Sequence, residues 1–150
     1  MVTVERTSSD NEDFQELIKH LDAYLRIQDG DDHAFYAQYN KVDAIRWVVV
    51  AYSDGVAAGC GAIKPYGEQT IELKRMFVQQ GNRGKGIAQA MLQELEQWAS
   101  EEGFTTCILE TGIKQVEAIR LYTKAGYERM ENYGQYAGVE NSVCMQKQLK

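Results

Sequence analysis

Residues 71–92, IELKRMFVQQGNRGKGIAQAML, constrain the fold of this chain more than any other stretch. A β-like run from Ile71 to Val78 passes through a short polar turn into Arg83-Gly84-Lys85-Gly86-Ile87-Ala88, and a helical pattern follows at once. Glycine at a helix start lets the backbone approach a ligand closely. The free N–H groups of that first turn, at the positive end of the helix dipole, make an anion site. The local charge agrees. No acidic residue lies between Glu72 and Glu94, whereas Lys74, Arg75, Arg83 and Lys85 do, in a chain of net charge −6. The segment predicts a strand–turn–helix unit that holds phosphate.

The rest of the chain supplies elements to surround it. Val2 and Val4 alternate with polar residues as a short first strand. Ser9 and Asp10 offer N-caps, with Glu12 placed for a capping box, and Phe14, Leu17, Ile18, Leu21 and Leu25 follow helical spacing. A polar break from Gln28 to Asp32 precedes a second short helix over His33–Tyr39. Arg46–Tyr52 and Val56–Lys64 are strands joined by Ser53-Asp54-Gly55, a strong hairpin signal. Ile87, Met91, Leu95 and Trp98 form the stripe of the helix after the glycine turn, with Gly103 suited to its C′ position. Phe104–Leu109 suggests a strand covered on both faces. Ala118, Leu121, Tyr122 and Ala125 make another helical stripe ended by Gly126, and Tyr127–Glu131 and Asn141–Leu149 are the last strands. The order β-α-α-β-β-β-α-β-α-β-β, without repeat or linker, predicts one α/β (α+β) domain over residues 1–150.

Composition narrows the class. A 150-residue chain buries about 70% of its unfolded surface and needs no staples. The acidic balance argues against nucleic-acid or anionic-membrane partners, although it permits a local basic pocket. Cys60, Cys107 and Cys144 lie far apart in apolar runs and are expected to be reduced core residues of a cytoplasmic protein. His20 and His33 have no metal-ligand spacing, so no metal is expected. The first ten residues carry no signal-peptide or membrane pattern.

Two standard phosphate motifs fail on spacing. Counting from Gly81, Walker A would need Lys where Ile87 stands. The dinucleotide fingerprint, counted from Gly84, would need Gly or Ala where Gln89 stands, and it belongs after the first strand of a parallel fold. The pattern that fits is Arg/Gln-x-x-Gly-x-Gly/Ala, met by Arg83, Gly86 and Ala88. With Leu73–Val78 before the turn, Leu109-Glu-Thr111, and the run Ala118–Tyr127 ending in Leu-Tyr-x-x-x-Gly-Tyr, nearly the whole chain resembles the GNAT superfamily of acyl-CoA N-acyltransferases.

That resemblance implies a mixed central sheet of about six to seven strands with strands four and five splayed apart. It implies acetyl-CoA as donor, its pyrophosphate on the backbone of Arg83, Gly84, Lys85, Gly86, Ile87 and Ala88. The pantetheine arm would pair with the backbone of Met76, Phe77 and Val78, which would also supply an oxyanion donor. Gln115 stands where many relatives have an asparagine that touches cofactor, and Gln80 where many have proline. Tyr122 matches the tyrosine that protonates the departing thiolate. From spacing alone it is equally a core aromatic of its helical stripe.

The acceptor implied is a primary amine, on a small molecule rather than a protein. Such an amine, with a pKa of about 10.4, is mostly protonated at pH 7 and needs a base. Glu72 is the first candidate and Glu110 the second, each with the alternative of a solvated or paired strand-end carboxylate. Asp29, Asp31 and Asp32 in the loop after the first helix would favour a cationic amine, and Tyr133 and Tyr136 are candidates to line the mouth. A homodimer through the C-terminal strands is compatible with the resemblance. A catalytically silent acyl-CoA-binding sensor is the competing reading.

Overall fold

The computed structural model describes residues 1–29 and 45–149. The expected helix over His33–Tyr39 and the acidic residues Asp31 and Asp32 lie outside the described residues. The described chain runs β1 (Val2–Thr7), α1 (Glu12–Asp29), β2 (Trp47–Ser53), β3 (Val56–Pro65), β4 (Thr70–Val78), α2 (Ile87–Glu101), β5 (Thr106–Gly112), α3 (Val116–Lys124), β6 (Glu128–Met130) and β7 (Ser142–Gln148). Short 3-10 turns at Gln80–Asn82 and Gly134–Tyr136 complete it.

One seven-stranded mixed sheet in the order β1-β2-β3-β4-β5-β7-β6 holds the molecule together, within the expected six to seven strands. The β2–β3 hairpin turns at Asp54 (φ 51°) and Gly55 (φ 83°), the paired left-handed conformations that a two-residue turn requires. β4, α2 and β5 form a crossover that brings β5 parallel to β4. The pairing lasts only for Thr70, Ile71 and Glu72 against Thr106, Cys107 and Ile108. β5 pairs with β7 on its other edge along its whole length, while from Leu73 onward β4 has no strand on the β5 side among the described residues. This is the expected splay, and it opens the sheet at its centre.

Each face of the sheet carries its own core. Phe14, Leu17, Ile18 and Leu21 of α1 pack with Val48, Val50, Cys60 and Ala62 on one face. Ile87, Met91, Leu92 and Leu95 of α2 pack with Val49, Ile71, Leu73 and Leu109 on the other, and α3 joins there through Tyr122. The three cysteines are free and buried, as their apolar surroundings suggested. The α1 cap differs from the expected Ser9 box. Asn11 Oδ1 accepts from the Phe14 N–H at 2.9 Å, while Ser9 Oγ instead accepts from the Ile45 N–H at 3.0 Å. A buried backbone donor at the entry to β2 competes for the serine, and Asn11, two residues nearer the helix, takes over the cap. Among the described residues, no helix is long and apolar enough to cross a membrane.

α3 ends at Gly126, whose φ of 103° turns the chain back so that Tyr127 re-enters the core. There the Tyr127 hydroxyl donates to Glu96 Oε2 at 2.9 Å, and Lys147 Nζ holds Glu96 Oε1 at 2.7 Å. This ties α2 to β7. Tyr127→Phe is expected to cost about 1–2 kcal/mol by chemical denaturation, since a charged acceptor loses one of two partners. An unchanged midpoint would show that Lys147 alone satisfies Glu96.

Candidate active site

The splay places a cleft of about 760 Å³ between β4, the glycine turn, the start of α2, and α3. Two features of the local sequence shape it. First, Gly84 (φ 81°) and Gly86 (φ 77°) both adopt the left-handed conformation, Gly86 as the residue before α2. A β-carbon at either position would meet no atom within 4 Å. Backbone conformation, rather than crowding, therefore demands glycine here, at a helix start whose first N–H groups have no intrahelical acceptor.

Second, β4 carries a bulge. Cys60 pairs with Phe77 and Ala62 with Lys74, so Gly61 alone opposes both Arg75 and Met76. Arg75 sits at φ 61°, a conformation that costs an L-residue about 1–2 kcal/mol. Gly61, opposite the bulge, leaves room for the Met76 side chain: a β-carbon there would lie 2.5 Å from Met76 Sδ. The bulge bends the strand where it leaves β5. It also puts Lys74 and Arg75, neighbours in sequence, on the α1 side, where strict alternation would have sent one into the other core.

The sequence-derived donor residues gather along the cleft. Met76, Phe77, Val78, Arg83, Gly84, Gly86, Ile87, Ala88, Gln115 and Tyr122 all line it. Lys85 does not, because its ammonium turns to Asn82 Oδ1 at 3.3 Å. Arg83 Nε donates to the Val78 carbonyl at 3.3 Å, and its guanidinium lies 5.1 Å from the centre of the Tyr24 ring. Tyr24 went unread in the sequence because nothing in the α1 stripe distinguishes it from a solvated helix position. Gln115 forms the N-cap position of α3 without a side-chain capping bond. The fit to acetyl-CoA is good on these grounds: a β4 edge unpaired beyond Glu72 among the described residues for an amide-bearing arm, a glycine-led helix start and Arg83 for phosphate, and a cleft of about 760 Å³.

Tyr122 stands where the large cleft meets a smaller cavity of about 120 Å³, and it lines both. It is 6% exposed and packs edge-on against Tyr127, with ring centres 5.7 Å apart. Its hydroxyl makes no hydrogen bond among the described residues. Burial, with Cys107 nearby, pushes its pKa above the ordinary phenol value, so the proton stays on oxygen across the neutral range.

The smaller cavity opens between β4 and β5 and is lined by Glu72, Lys74, Arg75, Glu110 and Tyr136 besides Tyr122. Glu72 is 8% exposed, accepts from the Tyr133 hydroxyl at 2.6 Å through Oε2, and lies 3.6 Å from Lys74 Nζ through Oε1. Burial first, then the Glu72 charge, pushes Tyr133 up, while burial with Glu110 and Glu72 does the same to Tyr136. Both tyrosines therefore remain donors. The two candidate carboxylates share one chamber with Tyr122. Asp29 ends α1, and its side chain lies outside the described residues.

Comparison with known proteins agrees with this geometry. A family model for the Acetyltransferase (GNAT) family matches residues 11–127. An IAA acetyltransferase of Azospirillum brasilense is 36% identical over 155 residues, covering 99% of this chain and 98% of that protein. A Klebsiella pneumoniae crystal structure, of a proposed acyl-CoA N-acyltransferase, is 30% identical with a TM-score of 0.83, covering 100% of this chain and 99% of that one. The PaiA N-acetyltransferase of Thermoplasma acidophilum, solved with coenzyme A, shares the fold at a TM-score of 0.69 and 17% identity, each chain covered to 99%. Because the matched residues take in the glycine turn and Tyr122 together, this chain belongs to the GNAT family of acetyltransferases, enzymes whose acyl donor is acetyl-CoA.

Proposed function

We propose that the protein transfers acetyl from acetyl-CoA to the primary amine of a small molecule by direct attack, without a covalent acyl-enzyme. The observation that carries this reading is the common chamber of Glu72, Glu110 and Tyr122 at the splay. Two candidate bases, Glu72 on β4 and Glu110 on β5, and the candidate acid Tyr122 on α3 line one opening about 120 Å³ in volume. That volume admits an amine and a few further atoms, which supports a small acceptor over a folded protein.

Acetyl-CoA supplies an activated carbonyl whose thiolate can depart. Glu72, directly or through water, takes a proton from the acceptor ammonium and leaves a nucleophilic amine. The N–C bond then forms and the C–S bond breaks. A backbone N–H of the Met76–Val78 edge faces the negative charge that develops on the carbonyl oxygen. Tyr122 gives its proton to sulfur and regains one from the nitrogen, so one proton is released overall. No cysteine is placed as a nucleophile: burial pushes the Cys60 and Cys107 thiols up to about 12 and raises Cys144 as well.

The test is a panel of amines read by release of free CoA thiol. Turnover with any amine supports the reading. Acetyl-CoA binding without thiol release from any of them would favour the silent sensor. With an accepted amine, Glu72→Gln is expected to be about 10²-fold slower at pH 7. The deficit should shrink as pH approaches the amine's own pKa, where no base is needed. A deficit constant across that range would remove Glu72 from the role of base.

A further inference from the structure

The cavity beside Tyr122 brings two cations as well as two carboxylates to its walls, where a site for an amine alone would need only the acids. Lys74 and Arg75 both line it, brought to one side by the β4 bulge. Arg75 is anchored at one end, where Nη1 donates to Asp22 Oδ1 at 3.0 Å, and its side chain is 3% exposed. Its other terminal nitrogen, Nη2, is buried with no hydrogen-bond partner among the described residues. Lys74, its side chain 19% exposed, forms a 3.6 Å ion pair with Glu72 Oε1 that leaves donors of its ammonium open to a second group.

A buried guanidinium normally uses both ends of its fork, because an unmade bond to a charged donor is among the more costly defects in a protein. Asp22 explains Nη1 and leaves Nη2 without an acceptor among the described residues. A purely structural Arg75 also accounts poorly for the strained left-handed backbone that presents it. A second anion completes the arrangement. It must be small, since the chamber is about 120 Å³, and it must lie close to the amine, since Glu72 and Glu110 line the same walls. Neutral or purely cationic acceptors would leave Lys74 and Nη2 as they stand.

We infer that the acceptor is an amino-acid-type molecule, in which a carboxylate is held by Lys74 and the free end of the Arg75 fork while its amine faces Glu72 and Tyr122. Planar, two-oxygen anions match the arginine fork, which is why a carboxylate suits the site better than a halide-like ion. Reaching Nη2 takes a small shift of the side chains over it, and Asp22, half-exposed on α1, is free to follow the guanidinium. The inference rests on the N-acetylation reading above, and the two can fail separately.

The experiment uses the free L-amino acids, their carboxamides and the corresponding decarboxylated amines, each assayed for CoA thiol release with the full-length enzyme. Accepted amino acids are expected to exceed their carboxamides at least tenfold in kcat/KM, with the difference mostly in KM. That ratio should fall toward one in Lys74→Gln and in Arg75→Gln. Arg75→Gln removes the partner of Asp22 and can cost folding, whereas Lys74→Gln alters a partly exposed side chain and keeps the test decisive. Carboxamides or decarboxylated amines that match or exceed the acids would overturn the carboxylate site and leave N-acetylation standing. A selective wild type whose ratio is unchanged in both folded variants would equally overturn it. Failure of every amine would remove the N-acetylation reading and this inference with it.

Discussion

Tyr122→Phe is expected to lower kcat by about 10²-fold while leaving acetyl-CoA affinity within about twofold of wild type and stability unchanged or slightly raised. The combination separates an acid from a core aromatic. The ring is 6% exposed and stacks against Tyr127, so phenylalanine keeps the packing. The hydroxyl has no hydrogen-bond partner among the described residues, so its removal orphans nothing and relieves the desolvation of a polar group. A structural tyrosine would show the opposite pattern, with lost stability and intact turnover. Proton transfer from a phenol to a thiolate is uphill in water, about 10 against about 8.5. Burial raises Tyr122, yet a thiolate leaving into the same chamber is desolvated too and becomes more basic, so the gap is not widened from one side alone. The pH dependence follows in sign. The phenol's folded pKa is raised, so the acid form is present below the ordinary phenol value and is lost only above it. No alkaline decline of kcat below about pH 10 should therefore belong to Tyr122. Titration calorimetry with acetyl-CoA, a melting curve and a steady-state pH profile check the three parts. A variant that keeps wild-type turnover would make Tyr122 a core residue and nothing more.

The parts of this site that sequence reveals are those written in local chemistry. Asp54-Gly55 announces the β2–β3 turn because few residues take positive φ. Gly103 and Gly126, at φ 94° and 103°, end their helices for the same reason. Arg83–Ala88 declares a helix start by its glycines, and the helix opens there at Ile87 with Gly84 and Gly86 at positive φ. The parts that stay hidden depend on residues far apart in the chain. Tyr133 reaches Glu72 across 61 positions, and Arg75 reaches Asp22 across 53. At the bulge, the Met76 side chain packs into the space left by Gly61 on the neighbouring strand. One faint signal existed: Lys74-Arg75 breaks the alternation of an otherwise half-apolar strand, and a strand with two adjacent charges must either expose its core face or bulge.

Gly86→Val is expected to abolish measurable turnover at acetyl-CoA concentrations that saturate the wild type, through a rise of at least about 10²-fold in Kd. Gly86 holds φ at 77° immediately before α2, where a β-branched residue is strained by its own backbone. The position is exposed and a β-carbon would meet nothing within 4 Å, so the substitution breaks no packing. The strain has two outlets. Either the loop keeps its shape and the protein loses about 1–2 kcal/mol of stability, or the loop relaxes and the peptide groups turn away from the cleft. An exposed loop with no buried contact to hold it takes the second course, because relaxing costs it little. Thermal unfolding should then change by only a few degrees while donor binding fails. Gly81→Val is the matched control: that glycine also has open space around it but no positive φ, and it does not line the cleft. Near-normal acetyl-CoA binding by Gly81→Val together with loss in Gly86→Val would assign the effect to backbone conformation at the mouth of α2. Equal affinity in both variants would show that the donor's phosphates are held by side chains such as Arg83 instead of by the turned peptide groups.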